Sequence, residues 1–209
     1  MSDIVVGFDL DDTLVAEALF LRSGIRHIAH RLAERYPRLS ASRITGCMDT
    51  AVMTRCNHYS ALEEYLERTG MRQEIDMKEV VADFRSHYPD PDIYHMPPST
   101  RLLLRRLKES GIHLALVTDG RSITQRNKIE AAGITRYINQ EDIFISEETG
   151  HDKTHPDSFL AIMRKYAGAK EFHYVGDNPP KDFMHPSRLG WHTHAVHPFP
   201  LAVHQGIPR

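Results

Sequence analysis

Five apolar residues, Ile4 to Phe8, stop abruptly at Asp9, and Leu10, Asp11 and Asp12 follow. A short unbroken run of this kind, rich in β-branched side chains, suits a strand buried on both faces, and such strands belong to parallel sheets covered by helices. Similar runs recur at Ile112 to Val117, Ile143 to Ile145, Phe172 to Val175 and Trp191 to Val196, though the last two are interrupted by histidine and threonine. Five strands are therefore expected. Apolar residues at helical spacing lie between them: Leu103, Leu104 and Leu107 before the second run, and Phe159, Leu160, Met163 and Ala167 before the fourth. Strand alternating with helix predicts an α/β fold with a Rossmann-like parallel sheet flanked by helices.

The stretch from Val15 to Pro97 breaks the alternation. It holds helical patterns at Leu21, Ile25, Ile28 and Leu32, at Leu62, Tyr65 and Leu66, and at Met77, Val80, Val81, Phe84 and Tyr88, with no convincing strand. Prolines 89, 91, 97 and 98 then crowd a segment that suits a linker. The expected division is a core of residues 1–15 and 98–209 with an all-helical cap domain over 16–97.

Composition narrows the function classes. Hydrophobic residues make up 41% and charged residues 26%, enough to build an ordinary core. A net charge of -2 supplies no basic field for nucleic acid or an anionic membrane. Cys47 and Cys56 are too few for a disulfide framework or a thiolate zinc site and fit a reducing compartment. Met1, Ser2 and Asp3 carry no basic segment, and the apolar run behind them is too short for a signal peptide or a membrane span. A cytoplasmic protein is expected.

The chemistry gathers at the strand ends. Residues two apart share a side of an extended chain, so Asp9 and Asp11 can both aim beyond the first strand, at the edge where open parallel sheets bind ligands. Asp11, Asp12 and Thr13 would equally serve as caps for a following helix. A second acidic group, Gly176, Asp177 and Asp182, follows the fourth strand, with Gly176 permitting close backbone approach. Two carboxylates about 4 Å apart repel by roughly 4 kcal/mol at an effective dielectric near 20. A hard divalent cation relieves that repulsion, and Mg2+ fits best. Thr118, Asp119 and Gly120 after the second strand offer a hydroxyl and backbone amides to phosphoryl oxygens. Lys153 offers a cation after the third strand.

The order D-x-D-x-T-L at Asp9 to Leu14, then Thr118, then Lys153, then G-D-x-x-x-x-D at Gly176 to Asp182 resembles the haloacid dehalogenase superfamily of hydrolases, in the subclass with a helical cap between the first two motifs. The resemblance covers nearly the whole chain. It implies a phosphatase acting on a small phosphorylated metabolite, a sugar phosphate or a nucleotide. In that pattern Asp9 is the nucleophile, Asp11 the acid and base, and Thr118 and Lys153 stabilise the phosphoryl group. Asp9, the Asp11 carbonyl and Asp177 ligate Mg2+, with Asp182 supporting the metal from behind. Two departures are Lys153-Thr154-His155-Pro156 where the family commonly has Lys-Pro-Asp-Pro, and Asp119 where Asn is frequent; Asp119 is expected to point away from phosphate. The dehalogenases lack the second aspartate of D-x-D, so Asp11 argues for phosphate over a carbon-halogen bond. A phosphomutase of the same superfamily is the alternative enzyme, and a phospho-accepting receiver-like signalling module the alternative of another class.

Further signals are the pair His192 and His194, able to share one side of a strand, where ordinary edge histidines are expected and a second metal site would need a third converging ligand. The cap residues Arg22, Arg26, Cys56, Asn57, His58 and Tyr59 are candidates for contact with the leaving group or ordinary polar residues at helix ends.

Overall fold

A computed structural model describes residues 3–196. Met1 and Ser2, and the tail from His197 to Arg209, lie outside the described residues. The strands are β1 (Ile4–Phe8), β2 (His113–Thr118), β3 (Ile143–Ile145), β4 (Glu171–Gly176) and β5 (His192–Ala195). They form one parallel sheet in the order β3-β2-β1-β4-β5. The apolar runs thus mark the right five strands, with the boundaries of β2, β4 and β5 shifted by one residue.

β1 sits at the centre because both its faces are apolar. Val5 enters one core with Ala115, Val117, Phe159, Ile162, Tyr174 and Trp191, and Val6 and Phe8 enter the other, as the two-residue period of a strand requires. The first core is aromatic at its centre: the Phe159 ring meets those of Tyr174 and Trp191 edge-on at 5.1 and 5.6 Å. The chain runs outward from β1 to β2 and β3, then returns to the other side of β1 for β4 and β5. This reversal opens a crevice at the carboxyl ends of the central strands.

Between β1 and β2 lie α1 (Glu17–Arg35), α2 (Ala41–Met53), α3 (His58–Arg68), α4 (Met77–Ser86) and α5 (Pro98–Glu109). α2, α3 and α4 begin on Ser40, Asn57 and Asp76, whose side chains accept hydrogen bonds from backbone N–H groups in the first turn. α5 begins on a proline, whose missing N–H is not needed there. α4 stops at Ser86, short of Tyr88, since Tyr88 precedes Pro89 and such positions disfavour helix. α2 escaped the reading of periodicity. Its buried side is only Ile44, Met48 and Ala51, diluted by Thr45, Gly46, Cys47 and Thr50. α1 and α4 pack closely at Gly24, where a Cβ would lie 2.6 Å from the Phe84 ring.

The rest of the chain carries α6 (Ser122–Ala131), α7 (Ser146–Thr149), α8 (Asp157–Lys165), α9 (Pro179–Asp182) and α10 (Met184–Arg188). α6 links β2 to β3 and leans on the end of α4: Thr124 Oγ1 donates to the Arg85 carbonyl at 2.8 Å and Asn127 Nδ2 to the Ser86 carbonyl at 2.9 Å. Among the described residues no helix is long and apolar enough to cross a membrane.

Candidate active site

Register brings the strand ends level. Phe8 pairs with Leu116 on one side and Val175 on the other, and Thr118 pairs with Ile145. The Asp9 N–H continues the ladder to the Val175 carbonyl at 2.9 Å, so Asp9 is the first side chain past β1. The chain then turns sharply: Leu14 N–H donates to Leu10 at 2.9 Å and Asp12 N–H to Val15 at 2.8 Å, with Asp12 at φ 55°. Aspartate tolerates this left-handed position better than most residues. The Asp12 carboxylate accepts from Glu17 N–H at 3.0 Å and so starts α1. Of the aspartates in this turn, Asp12 does the capping, which leaves the side chains of Asp9 and Asp11 for other work.

A cleft of about 140 Å³ opens at this edge and is lined by Asp9, Asp11, Thr118, Asp119, Lys153, Asp177 and Asp182, with Glu17, Asn178 and Lys181. Carboxylate oxygens of Asp9, Asp177 and Asp182 lie within 4.8 Å of one another. Lys153 joins two of them, its Nζ donating to Asp9 at 2.5 Å and to Asp182 at 2.6 Å. The other Asp182 oxygen accepts from Asn178 N–H at 3.0 Å, which holds the loop after β4 in place. Gly176 is obligatory here, since a Cβ on it would lie 2.4 Å from an Asp182 oxygen.

Electrostatics favour a further positive charge at this edge. Burial, opposed by Lys153 and reinforced by Asp182, pushes Asp9 up to about 7. Burial and the neighbouring Asp182 and Asp12 push Asp177 up to about 6. Lys153 is buried too, which works against its charge, but Asp9, Tyr174 and Asp182 outweigh burial and hold its ammonium well above the usual lysine value. One ammonium thus serves three carboxylates. Hard oxygen donors at this spacing fit a small divalent cation.

The remaining predicted residues have defined partners. Thr118 Oγ1 accepts from Gln125 Nε2 at 2.6 Å. Asp119 accepts from the Lys153 backbone N–H at 3.1 Å and pairs with Lys181 at 2.7 Å, so it ties loops together. Gly120 does not line the cleft; its N–H donates to Ser146 Oγ at 2.9 Å. The six residues named in the insert do not line it either. Asn57 caps α3, the His58 ring packs 5.2 Å from that of Phe84, and Arg22 and Arg26 act on Asp49.

Two functional neighbours escaped the sequence. Lys128 Nζ grips both oxygens of Asp11 at 2.9 and 3.0 Å, and Gln125 Nε2 donates to Asp11 at 3.1 Å. Lys128 is buried, with its ammonium 4.4 Å from the centre of the Phe20 ring on α1. The available signal was α6 itself: its inward positions carry Gln125 and Lys128 beside Ile129 where an apolar stripe would be expected.

Glyceraldehyde 3-phosphate phosphatase of Methanocaldococcus jannaschii is 26% identical over 188 residues, 89% of this chain and 81% of its own. The enzyme of the same name from Methanopyrus kandleri is 28% identical over 193 residues, 89% and 80%. Among solved structures, a HAD phosphatase from Thermococcus onnurineus shares the fold with a TM-score of 0.56 at 19% identity, over 94% of this chain and 86% of that one. The sequence profile described as haloacid dehalogenase-like hydrolase matches residues 6–196, which contain β2 to β5, the end of β1 and both acidic clusters, and the chain belongs to that family.

Proposed function

We propose that the chain is a Mg2+-dependent phosphatase that hydrolyses a small phosphorylated metabolite through a phospho-aspartyl intermediate on Asp9, with residues 16–97 acting as a cap over the site. The observation that carries this reading is the meeting of Asp9, Asp177 and Asp182 around one point with Lys153 between two of them.

Asp9, Asp177 and the Asp11 carbonyl would hold the cation, and Asp182 would fix Lys153 beside them. When bound, the cation neutralises charge on the phosphoryl oxygens and on the crowded carboxylates. Lys153 and Thr118 face the same phosphoryl group, and Asp9 attacks phosphorus as the ester oxygen departs. Asp11 supplies the proton that the leaving alkoxide needs and later takes one from the water that cleaves the aspartyl phosphate. In the structure the Asp11 carboxylate is clasped by Lys128, so Asp11 must first take up a proton from solvent, and its uptake and delivery require the clasp to loosen. Phe20 touches Lys128 from α1, which ties loosening to the position of the insert. The small, polar cleft suits a phosphate head with a short carbon chain, and the names of the two archaeal relatives place three-carbon phosphates first among substrates to try.

The test is phosphate release from a panel of phosphorylated metabolites, with Mg2+ and with chelator, for the native chain and Asp9→Asn. Release that needs Mg2+ and disappears in Asp9→Asn is expected. Undiminished release by the variant removes Asp9 from its role.

A further inference from the structure

The two histidines on one side of β5 meet a third. Parallel pairing sets His173 opposite His192 and Val175 opposite His194, so Glu171, His173, His192 and His194 project from one face of the sheet. The His173 ring lies 5.0 Å from that of His192 and 5.2 Å from that of His194, with interplanar angles of 29° and 24°. His173 Nδ1 is 3.0 Å from His194 Nε2, and His173 Nε2 is 3.4 Å from Glu171 Oε2.

These contacts place the protons. An ionised carboxylate only accepts, so His173 keeps its ring hydrogen on Nε2, facing Glu171, and turns the Nδ1 lone pair toward His194. A carboxylate behind one ring nitrogen with a lone pair presented by the other is the arrangement that orients a metal-binding imidazole. His194 answers that lone pair with its own Nε2–H. The 3.0 Å gap is slightly shorter than the roughly 3.3 Å between nitrogens that share a tetrahedral ion at about 2.0–2.1 Å each. A change of a few tenths of an ångström in the gap, with both rings turned so that their lone pairs converge on the ion, converts one into the other.

We propose that His173 and His194, joined by His192, form a second metal site for a divalent ion of the zinc class, with Glu171 orienting His173. His192 reaches the ion by side-chain rotation, and water completes the coordination. Imidazole donors favour Zn2+, Ni2+ or Cu2+ over Mg2+, so this site and the carboxylate cleft take different ions. On binding, the His194 ring hydrogen moves from Nε2 to Nδ1, a change of tautomer that leaves the ring neutral. Burial, together with the neighbouring His173 and His192, holds His194 below the usual histidine pKa and keeps it available as a ligand at neutral pH. The ion clasps the edge strand β5 to β4, the strand that leads into Asp177.

Titration of the untagged full chain with Zn2+ by calorimetry in saturating Mg2+, which keeps the carboxylate cleft filled, paired with the EPR spectrum of Cu2+ added under the same conditions, tests the site. One Zn2+ per chain is expected, with nitrogen splitting from two or more imidazoles in the Cu2+ spectrum. His173→Asn and His194→Asn each weaken Zn2+ binding at least tenfold and erase the splitting, and Glu171→Gln weakens it about tenfold. Asp9→Asn, in the other cluster, and His151→Asn leave both signals intact. Thermal unfolding verifies that each variant is folded. Absence of Zn2+ binding by the native chain, or native affinity retained by His173→Asn or His194→Asn, overturns the proposal.

Discussion

Replacing Lys128 with methionine removes a charge and little volume, so it isolates what the ammonium does for Asp11. The pair is bidentate at 2.9 and 3.0 Å, and Lys128 is almost fully enclosed. Stripping one partner from a fully buried ion pair costs about 3–5 kcal/mol, because the other charge is left stranded. Asp11 keeps the Gln125 hydrogen bond at 3.1 Å, and its side chain is 16% exposed, so water recovers part of the loss. The expected cost is therefore about 2–3 kcal/mol, a fall in Tm of roughly 4–12 °C for a chain of this size. The cycle of Lys128→Met, Asp11→Asn and the double variant, measured by urea and thermal unfolding, separates the pair from its surroundings. In Asp11→Asn the lysine still has Glu17 at 4.0 Å, so that single change is the milder one. The double variant strands no charge and should be more stable than the two losses combined predict, by at least about 1.5 kcal/mol. Coupling below about 0.5 kcal/mol refutes the reasoning.

Gly176→Ala forces a Cβ to within 2.4 Å of Asp182, which moves the carboxylate that holds Lys153; kcat should fall about a hundredfold, and native kcat in a phosphatase assay would mean that Asp182 can move without harm. In the cation-free chain Asp9 and Asp177 sit at about 7 and 6, against 3.8 for an aspartate free of such surroundings. Raised folded values mean that their contribution to stability is complete below about pH 4 and is lost as pH climbs through 6 to 7. A cation that binds the ionised carboxylates reverses that loss, so Mg2+ should raise Tm more at about pH 8 than at about pH 5, and an equal gain at both contradicts this. Asn57→Ala removes the cap that accepts from Tyr59 and Ser60 N–H and should cost about 1 kcal/mol in urea unfolding while phosphate release is retained.

Much of the core could be read from the chain because burial leaves a one-dimensional trace. Strands enclosed on both faces need unbroken apolar runs, and β1, β3 and residues 114–117 of β2 have them; β4 and β5 are interrupted at His173, His192 and His194 because that face of the sheet reaches solvent. The helical insert was legible for the same reason where apolar spacing was clean, and failed at α2, whose buried side is three residues wide. The acidic strand ends were legible because parallel strands share a carboxyl edge, so residues 9, 118 and 177 are neighbours once the sheet is accepted. What a motif does not contain is the orientation of side chains from elsewhere, and the residues named in the insert turned out to cap α3 or to face other partners.

α6 shows why the missing pieces were missing. Periodicity finds a helix by its apolar stripe, and α6 spends two of its inward positions on Gln125 and Lys128. Buried polar groups are costly unless satisfied, and here Gln125 bridges Thr118 and Asp11 while Lys128 holds Asp11. The same helix reaches α4 through Thr124 and Asn127. A displacement of α4 therefore pulls on the segment that fixes Asp11, and Phe20 adds a second contact from α1 to the same lysine. The weakness of the helical signal and the link between insert and site have one cause: the inward face of α6 is built to grip charged groups at the end of β1.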